Sequence, residues 1–113
     1  MPNENQIVSI DHFQQLDIRI GTIIGVERLE DSKKLLKLTV DFGDFSRTIL
    51  AGIGKTVEDP ATLVGRQSPY LVNLKPKELV GATSEGMMLC VSNEDAPVML
   101  APLTEVKPGS KIL

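Results

Sequence analysis

Tryptophan is absent from this sequence, and its aromatic side chains are Phe13, Phe42, Phe45 and Tyr70. At least two of these rings are needed for the core of a 113-residue chain. No platform of exposed rings is then left on which successive single-stranded bases would stack. Cysteine occurs once, at Cys90, and histidine once, at His12. That count excludes an internal disulfide and a Cys/His zinc site. No run approaches the roughly 20 apolar residues of a membrane-spanning helix. The start, Met1-Pro2-Asn3-Glu4-Asn5-Gln6, lacks the basic-then-apolar order of a signal peptide. The expectation is one cytoplasmic domain with no metal and no cofactor.

Catalytic groups are equally scarce. His12 beside Phe13 reads as a surface or capping residue, and Cys90 as a small hydrophobe within a strand. Ser84-Glu85 has no further group to orient it as a nucleophile. Gly52-Ile53-Gly54-Lys55-Thr56 lacks the G-x-x-x-x-G-K-[ST] spacing of a phosphate loop. The chain reads as a binding module and not an enzyme.

Charge is present but unevenly placed. Net charge is −3 overall, yet residues 33–77 hold eight basic groups against four acids, while residues 1–32 come to −4 and residues 78–113 to −3. A basic middle between acidic ends is the asymmetry expected of an anion-binding face. Lysines that merely solvate strand faces would give the same sums.

Hydrophobic periodicity supplies the fold. Ser9 to Leu16 reads as a helical turn capped by Asp11, with Phe13 and Leu16 facing the core. From Asp17 the period becomes two. Ile18, Ile20, Thr22, Ile24 and Val26 form one apolar face of a long strand, with Gly21 and Gly25 opposite where it bends. Leu36, Leu38 and Val40 mark a second strand, and a Gly43-Asp44 turn leads to a third over residues 45–50. Ala51 to Gly54 reads as a flexible corner. Thr56 to Val64 reads as a helix capped by Asp59, with Pro60 first and Gly65 as its stop. Residues 67–74 and 86–92 give the fourth and fifth strands. Residues 97–100 add an extended piece before the Lys107-Pro108-Gly109 turn. The order predicts an all-β, five-stranded OB-fold barrel with one short helix between strands three and four, a short N-terminal helical turn and a C-terminal extension. Residues 1–8 are expected to form an arm and 9–113 the domain.

Two clusters carry the basic groups. Lys33-Lys34-Leu35-Leu36-Lys37-Leu38 sets lysines at the mouth of a strand. Asn73-Leu74-Lys75-Pro76-Lys77 places lysines either side of a stiffening proline, with amides and hydroxyls following through Ala82-Thr83-Ser84-Glu85-Gly86-Met87. Met87 suits either an adaptable surface contact or the fifth strand's core face. With few aromatics, a folded RNA recognised by phosphates, 2′-hydroxyls and shape fits better than a single strand.

These stretches resemble the tRNA-binding OB domain found at the C-terminus of many bacterial methionyl-tRNA synthetases, as free-standing proteins and in cytokine-like synthetase cofactors. The resemblance rests on Leu16-Asp17-Ile18-Arg19-Ile20-Gly21, Lys34-Leu35-Leu36-Lys37-Leu38, Arg47-Thr48-Ile49, Asn73-Leu74-Lys75-Pro76 and Gly81 through Leu89. A tail from Val98 through Lys107-Pro108-Gly109-Ser110-Lys111-Ile112 completes it. It implies a homodimer that grips the outer corner of the L-shaped tRNA without base readout, with an aminoacyl-tRNA synthetase as a candidate partner. It also implies contacts from Lys34, Ser84 and Met87, with Lys37, Arg47, Asn73, Lys75 and Lys77 as further candidates. Two departures stand out. Leu29-Glu30-Asp31-Ser32-Lys33 replaces a His-Pro turn, and Glu85 stands where the family often has Gln, setting a carboxylate where it would oppose phosphate. A sister branch resembles export-related, chaperone-like dimers. Its doubled proline and doubled arginine are missing from Lys75-Pro76-Lys77-Glu78-Leu79-Val80-Gly81. The apolar tail after Pro97 and the Ile7-Val8 pair exceed what one small barrel buries, which suggests pairing across a two-fold axis.

Overall fold

The computed structural model describes residues 6–113; residues 1–5 of the expected arm lie outside the described residues. The first helix, α1 (Ile10–Gln14), is capped by Ser9, whose Oγ accepts the His12 N–H at 3.2 Å. Asp11 does not take that place, because it already lies within the first turn while Ser9 keeps the extended backbone a cap needs. At five residues α1 buries none of its side chains. Leu16 is left 42% exposed instead of entering the core.

The chain continues through β1 (Ile18–Leu29), β2 (Ser32–Asp41), β3 (Ser46–Ala51) and β4 (Gln67–Leu71). A hairpin of β5 (Lys77–Leu79) and β6 (Ala82–Ser84) follows, then the short β7 (Met87–Met88), β8 (Cys90–Val91) and β9 (Val98–Met99). The main sheet is antiparallel in the order β3-β2-β1-β4-β7. Between β3 and β4 the expected helix shrinks to one 3-10 turn, Pro60–Leu63. Asp59 caps it through the Ala61 N–H and Pro60 opens it, while Gly65 beyond it has φ +94°. Residues 56–59 stay outside this turn, which has room for only one circuit before Gly65. All-β with this strand order, the domain is an OB fold.

The alternation along β1 breaks where a residue is added. Ile23 faces the core at 0% exposure, whereas Ile24 is 53% exposed. Register runs from Ile23 opposite Val40 directly to Gly25 opposite Thr39, so Ile24 is the extra residue of a β-bulge. The bulge resets the phase, and Val26 packs on the core again. The single apolar face read from Ile18 to Val26 is therefore two faces. Gly21 shares the face of Ile23 because a Cβ there would fall 2.3 Å from Val40 Cγ1 and 2.7 Å from Phe42 Cε1. Its absence lets those side chains fill the interior, where Tyr70 meets Phe42 edge to face at 5.5 Å.

The half of β1 that β2 leaves unpaired is covered by the C-terminal segment. Gly109 N–H donates to the Ile20 carbonyl at 2.7 Å, Ile20 N–H to Ser110 at 2.8 Å, and Ile112 N–H to Ile18 at 2.8 Å. The expected fifth strand divides at Leu89. Met87–Met88 pair with β4, while Cys90–Val91 turn away to pair with β9.

Candidate nucleic-acid interface

The sheet's two edges, β3 and the segment leading into β7, meet along a seam built from side chains. Ser84 Oγ accepts the Leu50 N–H at 3.0 Å and donates to the Gly86 carbonyl at 2.9 Å. Glu85 N–H donates to the Thr48 carbonyl at 2.8 Å, and the Glu85 carboxylate accepts the Thr48 N–H at 2.9 Å. Arg47 Nη1 donates to the carbonyls of Val72 and Glu85 at 3.0 and 3.1 Å. Its guanidinium also lies 5.0 Å from the Phe45 ring centre. Gly86 is required by closeness: a Cβ would meet the Leu71 carbonyl oxygen at 2.8 Å and Ile49 Cδ1 at 2.9 Å.

This seam suspends the β5–β6 hairpin over the outer face of β2 and β3. The register sets Lys37 opposite Leu50 and Thr39 opposite Thr48, so Lys37 and Thr48 project on the side away from Leu36, Leu38 and Ile49. Between that face and the hairpin lies a cleft of about 390 Å³. Lys37 and Thr48 face Pro76, Gly81, Ala82 and Thr83 across it, and Glu85 completes the lining. Lys75 and Lys77, on either side of Pro76, are both exposed. Chain folding thus sets Lys37 on one wall of the groove and Pro76, with exposed lysines either side of it in sequence, on the other. Lys37 Nζ is 3.4 Å from Glu27 Oε1, its cross-strand partner. Such an exposed pair contributes little, so an anion can displace Glu27.

Lys34 stands at the end of the same strand, exposed, with its stem laid across Gly52. The corner beneath it is packed, not flexible. Ile53 is 1% exposed, Gly54 N–H donates to the Lys34 carbonyl at 2.7 Å, and a Cβ on Gly54 would fall 2.6 Å from the Lys33 carbonyl. Arg28 secures the corner by donating to the carbonyls of Gly54, at 3.1 Å, and Val57.

The remaining residues singled out by sequence lie apart from the groove. Ser84 is buried, with its hydroxyl committed as donor and acceptor. Asn73 clamps the start of β1, accepting the Asp17 N–H at 2.9 Å and donating to the Gln15 carbonyl at 2.8 Å. Met87 is 44% exposed on β7, while Met88 turns inward at 6%. Sequence reasoning misses Thr48 and Thr83. The two-residue period alone puts Thr48 on the outer face, but nothing in the sequence marks residues 77–84 as a hairpin, since valine is not a turn former.

Elsewhere, Arg19 grips Asp17 with two parallel hydrogen bonds of 2.9 and 3.1 Å. This pairing holds the Asp17 carboxyl below its ordinary range and pushes the guanidinium up. Burial raises the pKa of the Cys90 thiol, the opposite of what a nucleophile needs. Among the described residues, no cluster of three or more His, Cys, Asp or Glu side chains could hold a metal ion. None of their helices is long and apolar enough to cross a membrane.

Residues 18–111 match a family described as "Putative tRNA binding domain". The methionine--tRNA ligase of Archaeoglobus fulgidus is 40% identical over 109 residues, which cover 96% of this chain and 16% of the ligase. The chain therefore spans about one sixth of that relative's length. Among solved structures, a MetRS-related protein from Pyrococcus horikoshii superposes with a TM-score of 0.87 at 33% identity, covering 96% of this chain and 99% of that one. The chaperone CsaA from Bacillus anthracis superposes with 0.86 at 32% identity, covering 95% and 99%.

Proposed function

The chain belongs to the tRNA-binding domain family, and from that premise we propose that it binds folded tRNA as a non-catalytic homodimer, gripping the outer corner of the L by shape and backbone. One observation supports the reading: a groove with Lys37 on one wall and Pro76, Gly81, Ala82 and Thr83 on the other, Pro76 being flanked in sequence by the exposed Lys75 and Lys77. The Lys37 ammonium on the lining and the exposed lysines beside Pro76 suit a phosphate backbone running along the groove, and Thr48 and Thr83 supply hydroxyls for ribose. Lys34 and Met87, both exposed outside the groove, offer a further cation and a further apolar contact. In this reading Ser84, Arg47 and Asn73 act through the seam and the β1 junction that hold these groups in place. The Glu85 carboxylate accepts the Thr48 N–H, which fixes its position while its negative charge stays on the groove lining.

Binding of the native protein to folded tRNA, unfolded tRNA and unrelated duplex RNA tests this. Folded tRNA is expected to bind tightest, with affinity falling steeply as salt rises. Replacing Lys37, Lys75 or Lys77 by Ala should lower the salt slope by about one for each phosphate left without its ammonium group, with melting temperature unchanged. Equal weak binding to all three RNAs would sink the proposal. Dimerisation draws support from apolar side chains that the single chain leaves uncovered, including Ile7 and Val8 at 69% and Leu103 and Leu113 fully exposed. A purely monomeric mass by light scattering at micromolar concentration counts against it.

The match to CsaA favours a second reading, a chaperone-like peptide-binding dimer on the same fold. Suppression of client aggregation without affinity for tRNA separates the two. The relationship to methionine--tRNA ligase also makes a synthetase, or the remainder of one, the natural partner to test by co-purification.

A further inference from the structure

The β5–β6 hairpin turns on Val80 and Gly81, between the paired residues Leu79 and Ala82. Both turn residues have positive φ, 49° at Val80 and 79° at Gly81. A two-residue hairpin turn of that kind is ordinarily made by Asn-Gly or Gly-Gly, whose backbones enter the left-handed region with little or no penalty. Valine is among the worst occupants, since both branches at Cβ crowd the backbone there. Val80 is the one non-glycine residue with positive φ among the described residues.

Core packing does not compensate for the strain, because Val80 is 48% exposed. An added Cβ on neighbouring Gly81 would meet nothing within 4 Å, so the tip stands in open space. It is also placed beside the binding groove: Gly81 and Ala82 line the groove facing Lys37, and Lys77 begins the same hairpin. A strained, half-exposed apolar side chain at the lip of the groove is costly for folding, and Val80 stands outside the hydrophobic core cluster that could offset the cost.

We propose that Val80 is an RNA-contact residue, whose side chain packs against a nucleobase or ribose face of folded RNA while the flanking lysines hold phosphates. The inference rests on the RNA-binding reading above and deepens it. It assigns the hairpin tip an apolar contact that carries no charge.

The test pairs Val80→Asn and Val80→Gly with Val80→Met in the full chain, measuring melting temperature and affinity for folded tRNA across a salt series. Asn and Gly relieve the strain, so melting is expected to rise by roughly 3–6 °C for Asn while affinity falls about 5- to 10-fold. The salt slope should not change, because the same phosphates stay neutralised. Met keeps an apolar tip without the β-branch and should hold affinity within about twofold. Unchanged affinity in both Asn and Gly variants overturns the inference while leaving the groove proposal intact, as does a melting temperature that fails to rise for Asn. If the native protein shows no preference for folded tRNA, the groove proposal itself falls and takes this one with it.

Discussion

The sheet interior and the seam are stabilised by different means. Within the sheet, β1, β2 and β4 are joined by backbone ladders, and Leu36, Leu38 and Ile49 are completely buried among apolar neighbours. Many sequences satisfy those demands, because volume and alternation suffice. At the seam, Ser84 and Glu85 supply side-chain hydrogen bonds to Leu50 and Thr48 in positions where a ladder would use backbone. There the hydroxyl or carboxylate itself is needed, at one position and one distance. Residues that look like ligand donors in a motif can therefore be holding the fold at the edge of a groove.

The largest expected effects set the two regions side by side. Leu38→Ala empties a fully buried site and should cost about 3–4 kcal/mol. Ser84→Ala removes only one oxygen, yet leaves the Leu50 N–H without its acceptor and frees the Gly86 carbonyl in a buried place. About 2–3 kcal/mol is expected, far beyond the usual effect of trimming a hydroxyl. Chemical denaturation of both variants makes the measurement. If Ser84→Ala unfolds at the native denaturant midpoint but loses tRNA affinity, Ser84 is a direct contact and the seam is misassigned.

A smaller effect separates shape from charge within the seam. Glu85→Gln keeps an oxygen to accept the Thr48 N–H, so stability should change by less than about 1 kcal/mol. Removing the negative charge from the groove should at the same time tighten tRNA binding a few-fold at low salt. Glu85→Ala should weaken both, by about 1–2 kcal/mol in stability. Were Gln and Ala to behave alike in denaturation and binding, the Glu85–Thr48 contact would have no positioning role.

How much of this is legible in the sequence follows the same division. Strand order, the Gly43 turn and the Asp59–Pro60 start are readable because period, glycine and capping chemistry are local. The phase of β1 is not: the bulge at Ile24 depends on which residue of β2 lies opposite, and no pattern within β1 records it. The β5–β6 hairpin is hidden because its turn breaks the usual composition. For the candidate site, charge alone picks out the lysines, whereas telling the exposed Lys75 and Lys77 from the already bonded Ser84, Asn73 and Arg47 needs burial and partners. Asn73 and Ser84 read as free polar groups because a sequence names donors without saying what has already been bonded.

The smallest expected effect contrasts two ways of fixing the start of β1. Asn73 clamps it with a neutral amide, while Arg19 holds Asp17 through charge. The Arg19 hydrogen bonds depress the Asp17 carboxyl below its ordinary 3.8, so folding favours the ionised form. The resulting stability is present above pH 3.8 and is lost as pH falls through the lower folded value. Solvent reaches both groups and keeps the contribution under about 1 kcal/mol. Asp17→Asn should thus be slightly less stable than native at pH 7, with the gap closing in acid. Asn73→Ala should show a loss that does not depend on pH in that window. A gap for Asp17→Asn that persists unchanged from pH 7 to pH 2 would mean the fork acts by hydrogen-bond shape alone. Charge would then have no part in anchoring the strand from which the barrel is built.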